Sequence, residues 1–200
     1  VLLLGIVSMA LTLTVMRGSM LDEIQEALKG TAAATLAAYD QNAGQYVQST
    51  NGYVWKGNYN VSKSGSLVDR IKENTGMDVT FFYGKTRIMT SAKDKNGARV
   101  LRSEVGEAIV KQVLQGKKEY FSDAVSIEGT LNYGYFMPVY QENSDSDVVG
   151  MEFVGTNKQQ KDAIINQMLI TIAIAVGCIM LVFIGVAMKL ASSMSKNINT

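Results

Sequence analysis

Residues 78–92 read DVTFFYGKTRIMTSA, and the change of period inside this stretch decides the fold. Asp78 to Tyr83 alternates along a β-rich run, Gly84-Lys85 supplies a turn, and Thr86 to Ala92 alternates again. Just upstream, SLVDRIKEN (Ser66 to Asn74) has the 3.6-residue period of a short amphipathic helix, stopped by Gly76. Downstream, Lys93 to Arg102 is a charged loop with Asn96-Gly97 at its tip. GEAIVKQVLQG (Gly106 to Gly116) is a helix with Ala108, Ile109, Val113 and Leu114 on one side. Three further strands follow. Glu119 to Ile127 turns at Glu128-Gly129 into Leu131 to Tyr140, and Val148 to Gly155 comes after the polar loop ENSDSD. Asn157 opens an exit helix. Hairpin turns imply an antiparallel sheet, and helices on its faces make this an α+β layer rather than a doubly wound sheet.

Towards the N-terminus, Ser19 is placed as an N-cap with Asp22 three residues on. Leu21, Ile24, Leu28, Ala32, Leu36, Tyr39, Ala43 and Tyr46 then recur at helical spacing, one apolar stripe over about seven or eight turns. Such a stripe can pack on its own domain or pair with a second copy as in a coiled coil; the spacing leaves both open. Ser49 to Ser66 is rich in Gly, Asn and Ser and reads as a loop anchored by Tyr53, Trp55 and Tyr59. Its Asn60-Val61-Ser62 fits the glycosylation pattern, by chance if the protein is bacterial.

From Met168 to Met188 the chain runs MLITIAIAVGCIMLVFIGVAM, uncharged and without Pro, about the length a helix needs to cross a bilayer. Val1 to Met16 is also uncharged; it reads as a first span, with a signal-peptide core as the alternative. Lys189 and Lys196 follow the second span and no acid does, so the C-terminal end is expected in the cytoplasm and the middle outside it. The expected organisation is a first span over 1–16, an extracytoplasmic domain over 17–166, a second span over 167–188 and a cytoplasmic helix from 189.

Lys plus Arg number 19 and Asp plus Glu 18, an interspersed balance that argues against nucleic acid as a partner. There is no His, and the single Cys, Cys178, lies within the second span, so no internal disulfide can form. No activated nucleophile, paired carboxylates in an apolar setting, phosphate-cradling loop or metal-ligand cluster is apparent. Neither catalysis nor a cofactor or metal is expected. A binding pocket is the better expectation: the first hairpin offers Tyr83, Arg87, Thr90 and Ser91 within a few residues, and a guanidinium matches a carboxylate in two parallel bonds.

Three segments carry a resemblance: TGMDVTFFYGKTRIMTS (Thr75 to Ser91), YFSDAVSIEGTLNYGYFMPVY (Tyr120 to Tyr140) and VVGMEFVG (Val148 to Gly155). In this order, framed by two spans, they resemble the single Cache domain, the PAS-like extracytoplasmic input module of bacterial receptors. The implied fold has a five-stranded antiparallel sheet and a long N-terminal helix, flanked by two transmembrane helices. Beyond the second span, Leu190, Met194 and Ile198 resemble the opening of a HAMP signalling helix, especially that of methyl-accepting chemotaxis receptors, although no Pro stands near Ile198. The resemblance implies a homodimeric, multi-pass sensor in the bacterial plasma (inner) membrane that binds a small metabolite. It also implies that Arg87 and Thr90 face the ligand, as do Phe136 and Gly134 on the strand read as central, with Asn132 at the rim and Tyr120 on its neighbour. Gly134 stands where such sensors often carry Arg; it is expected to leave space, which suits a monoanion, an amino acid or a flat neutral ligand. The competing readings are that Arg87 pairs with a surface acid and that Phe136 and the tyrosines are ordinary core. At the level of the whole protein, the alternatives are the same sensor on a histidine kinase or diguanylate cyclase, or a membrane-tethered interaction domain without a small ligand.

Overall fold

A computed structural model describes residues 2–198; side chains at 2, 4 and 193–198 are outside the described set. The chain divides into two compact units, one of residues 23–159 and one formed by the segments up to Asp22 and from Gln160 onward.

The first unit is built on a five-stranded antiparallel sheet, ordered β5-β4-β8-β7-β6. Its strands are β4 (Asp78–Tyr83), β5 (Thr86–Thr90), β6 (Tyr120–Ile127), β7 (Thr130–Tyr140) and β8 (Val148–Asn157). The centre of the sheet is therefore β8, not the Leu131–Tyr140 strand expected there. The burial of β8 explains this: Gly150 through Thr156 are all buried, as a strand covered on both faces must be. β6 pairs with β7 only as far as Phe136, so Pro138 sits where β7 lacks a partner on that side and its missing N–H costs no ladder bond.

One face of the sheet is covered by α1 (Leu2–Asp40), α2 (Gly65–Thr75) and a small second sheet. Leu28, Ala32, Thr35 and Tyr39 of α1 are fully buried, which places the distal part of the stripe on its own domain, while Leu21 and Ile24 nearer the N-terminus are half-buried. Two expectations are corrected here. Ser19 caps nothing, because the helix already runs through it from Leu2, and Tyr46 leaves the stripe because the helix stops at Asp40. The stretch expected as a loop over 49–66 holds most of an unforeseen three-stranded sheet: β1 (Tyr46–Gln48), β2 (Val54–Lys56) and β3 (Tyr59–Asn60), paired in that order. These strands are too short to show a period. Their inward residues Tyr46 and Val54 join Tyr39, Val61, Phe81 and Val139 in one cluster, with the Tyr46 and Phe81 rings stacked at 5.5 Å. α2 ends at Gly76, whose φ of 71° and N–H to Lys72 O form a left-handed cap.

The basic run between Lys93 and Arg102 is not all solvated. Arg99 makes a two-pronged bond to Asp69 of α2 (2.9 and 2.7 Å) and a third to Thr90 O (2.6 Å), fastening α2 to the edge of the sheet. The neighbouring guanidinium holds the Asp69 carboxyl below its ordinary range.

The second unit contains the start of α1 and α4 (Lys158–Ile198), the helix that begins at the residue after β8. Among the described residues, one helix is long and apolar enough to cross a membrane, over Lys158–Ser192. The two helices meet where a Cβ on Gly5 would run into the Met180 side chain, so the small residue lets them approach closely. Of the expected signalling stripe, Leu190 is exposed, while the side chains of Met194 and Ile198 lie outside the described residues.

Candidate functional site

The sheet face opposite α1 carries Phe82, Phe136 and Phe153, one from each of β4, β7 and β8. Alternation requires this, since Phe81, Met137 and Glu152 are cross-strand neighbours turned the other way. Above the three rings runs the segment that follows β5. It pairs back on that strand through Val105 N–H to Lys85 O (3.0 Å), turns at Gly106 into α3 (Glu107–Ile109), and continues as a π-helix over Val110–Gln115. Wide turns of this kind recur at binding sites. Here it seats Val113, fully buried, beside Ile127 and Met151.

Between the rings and this cover lies a cleft of about 340 Å3. Its floor is Phe82, Phe136 and Phe153, with the last two rings 4.8 Å apart. Its walls are Val105 and Ile109 on one side and Val125 and Ile127 on the other, with Ser122 and Ser126 contributing hydroxyls. A bulge interrupts β6 between Ser122 and Val125, both of which line the cleft. Glu104 stands at the rim, held by Lys85 at 2.9 Å.

Arg87 is the cation of the cleft. Its guanidinium lies 5.6 Å from the centre of the Phe82 ring and donates from one terminal nitrogen to Val100 O (3.2 Å). Its Nε is buried without a partner, and no carboxylate pairs with it among the described residues. Burial lowers its pKa from the ordinary arginine value, outweighing the opposing charges of Glu128 and Asp78, neither of which forms an ion pair with it. A half-buried guanidinium over aromatic carbon with no ion-pair partner has the chemistry to receive an anion, and the apolar walls suit one with a hydrophobic body.

Of the residues singled out from the sequence, Arg87, Tyr120 and Phe136 line this one cleft. The others are placed elsewhere. Tyr83 packs on the opposite face, against the Tyr39–Tyr46 cluster, because it is one residue out of phase with Phe82. Thr90 is buried and shares a hydrogen bond with Thr80 (2.6 Å). Ser91 is equally buried, donating to Asp78 and accepting from Val79 N–H. Asn132 donates to Thr130 O and Val125 O at the end of β7. Gly134 leaves no open space: a Cβ there would lie 2.5 Å from Phe153 Cε2 and 2.7 Å from a Val125 methyl. Gly134 and Gly155 are cross-strand partners, and together they form the trough in which the Phe153 ring lies. Gly155→Ala should therefore lift that ring into the cleft and weaken ligand binding about tenfold while the domain stays folded. Calorimetric titration beside a thermal melt would check this, and unchanged affinity would refute the trough.

Sequence reasoning did not find Phe82, Phe153 or the 104–109 cover. Phe153 carried a signal in hindsight: an aromatic two residues before a glycine and three after another, in a strand of otherwise buried residues.

The family model described as "Single cache domain 3" matches residues 59–168, more than half of the chain. No curated protein matches the sequence. Among solved structures, the sensory domain of the Campylobacter jejuni chemoreceptor Tlp3 (CcmL), with isoleucine bound, is similar over 76% of this chain at 11% identity and a TM-score of 0.50. An extracellular ligand binding receptor from Desulfohalobium retbaense is similar over the same share at 16% identity and a TM-score of 0.49. The chain spans 59% of the first and 26% of the second.

Proposed function

Because the chain belongs to the single Cache domain family, whose members are extracellular ligand-binding sensors and not catalysts, we propose that residues 23–159 are the input module of a membrane receptor that binds a small organic monoanion. The receptor is of the methyl-accepting chemotaxis type, a homodimer in the bacterial inner membrane, with spans over Val1–Met16 and Met168–Met188 and a signalling helix beyond. The observation that carries the ligand reading is the unpaired Arg87 guanidinium above the Phe82 ring. Arg87 holds the carboxylate; Phe136, Phe153, Val105 and Ile109 enclose the apolar body; Ser122 and the Tyr120 side chain supply orientation at the wall. A second guanidinium is absent from the cleft lining, so a dicarboxylate is disfavoured.

Transmission is supported by chain continuity. Phe153 lies on the central strand, and that strand ends at Asn157 with α4 starting at Lys158, so no slack linker intervenes. A ligand preferring one arrangement of Phe153 and its strand shifts the receptor only by its differential affinity for the two states, about 1–3 kcal/mol for typical couplings.

Calorimetry of the full chain in detergent, with straight-chain monocarboxylates of increasing length, tests the reading. Saturable binding that tightens as the tail grows is expected, and Arg87→Ala should lose about 10- to 100-fold, the worth of a hydrogen-bonded charge pair. No binding at millimolar concentration, or an Arg87→Ala protein that binds equally well, would refute it.

A further inference from the structure

The free side of β5 borders a second cleft, of about 260 Å3, that the first site does not use. It lies between the strand 86–88, the 101–102 turn and the loop joining β1 to β2. Arg87 and Arg102 both line it, and no Asp or Glu does. In a chain with 19 basic and 18 acidic residues, a cavity lined by two arginines and by no carboxylate departs from the mixed surface elsewhere. Arg102 is exposed and has no ion-pair partner among the described residues. Lys63 adds a third positive charge nearby, 5.4 Å from the centre of the Tyr53 ring.

Two further features mark this as more than a surface crevice. Arg102 has a φ of 64°, a left-handed conformation that a side-chain-bearing residue adopts at some cost. It is held there by a ladder in which Arg102 N–H donates to Arg87 O and Arg87 N–H donates to Ser103 O, each 2.9 Å. The same two hydrogen bonds thus fix both arginines relative to one another, and non-glycine residues held in such conformations gather at binding sites. The lips are apolar: Tyr53 is 40% exposed and Leu101 42%, with Ile88 behind them. Asn51, Ser62 and Thr86 supply the remaining polar groups.

We infer that this cleft is a second anion site, for a small organic acid whose body is a flat or aromatic ring, with the acid group between Arg102 and Arg87 and the ring against Tyr53 and Leu101. Arg87 lines both clefts, so the two sites share one arginine.

Trp55, the chain's one tryptophan, lies on β2 two residues after Tyr53 and is partly exposed. Its neighbour Tyr53 lines the cleft, so Trp55 fluorescence serves as a nearby reporter, read beside calorimetry. The test titrates the full chain in detergent with sodium benzoate and, separately, with acetate and inorganic phosphate. A saturable Trp55 response to benzoate at millimolar levels is expected, with acetate and phosphate at least about tenfold weaker. Arg102→Gly is the informative variant, because it deletes the guanidinium at a backbone position glycine adopts without strain. It should weaken the benzoate response about tenfold or more and leave carboxylate affinity at the first cleft unchanged. Arg87→Ala should weaken both. Ser122→Val, a variant confined to the first cleft, should leave the Trp55 response intact whether or not the first site proves real. A Trp55 response indifferent to Arg102→Gly or equal for phosphate and benzoate, or no benzoate binding by calorimetry at millimolar levels, would overturn the inference.

Discussion

Gly150→Ala should unfold the sensor domain or leave it barely stable. Gly150 lies in β8 between Tyr83 of β4 and Val139 of β7, and a Cβ there would sit 1.9 Å from the Phe82 carbonyl oxygen and 3.0 Å from its carbon. The obstacle is backbone in the middle of a sheet, so no rotamer change relieves it and β4 must separate from β8. Overpacking of side chains typically costs about 1–3 kcal/mol; a clash with ladder backbone should exceed about 3 kcal/mol. That corresponds to a drop of more than about 6 °C in Tm for a domain of this size. Circular dichroism melts of the full chain would measure it, and a fall of less than about 3 °C would mean the two strands are not that close. Gly30→Ala is the control. Gly30 sits in α1 with nothing within 4 Å of its added Cβ, so it should stabilise by up to about 1 kcal/mol through helix propensity alone.

Glu152→Met should raise Tm, and Glu152→Gln should flatten the dependence of stability on pH. Glu152 is fully buried on the α1-facing side of β8, cross-strand from Phe81 and Met137, with neither carboxyl oxygen hydrogen-bonded. Tyr39 from α1 and Tyr46 from β1 stand close enough for its charge to raise their pKa values further, after burial has already raised them. Burial alone pushes the Glu152 carboxyl well above its ordinary range. The folded protein thus holds a proton that the unfolded chain releases near pH 4.3. Between that pH and the raised folded value the native state binds more protons than the unfolded one, so stability is greatest on the acid side and falls as pH rises. The opposite sign belongs to Glu119. Lys29 at 2.8 Å, together with a hydrogen bond from the Tyr135 hydroxyl, lowers its pKa, and its stabilising share is lost on acidification. Replacing an unpartnered buried carboxyl by an apolar side chain of similar size should gain about 1–4 kcal/mol near neutral pH. Melts at pH 5 and pH 8 separate the cases. Wild type should be relatively more stable at pH 5, and Glu152→Gln should lose much of that difference. A Glu152→Met protein less stable than wild type at pH 8 would show that the carboxyl has a partner.

The strands of the large sheet were legible because each is long enough to display its period and is bounded by turn chemistry. DVTFFY forms β4 residue for residue, and Glu128-Gly129 separates β6 from β7 as its composition demands. The cleft was only half legible. Arg87 and Phe136 could be singled out because a guanidinium and an aromatic ring have a chemistry readable in one dimension, and both line the cavity. Tyr83 and Phe82 differ by one step along a strand, and which of them faces the cleft depends on where α1 docks. The space expected at Gly134 is taken by a ring from another strand, Phe153, a contact between residues 19 positions apart.

By itself, the sequence determined the class of architecture, the long apolar segment after the last strand, and the lack of histidine and of any cysteine pair, because these follow from local period and composition. Only the tertiary structure decided that β8 is central, that three minimal strands pair into a second sheet, that Glu152 is entombed, and that Arg87 stands between two clefts. Each of these depends on pairing between distant segments, where loop closure and burial, rather than local propensity, select the partner.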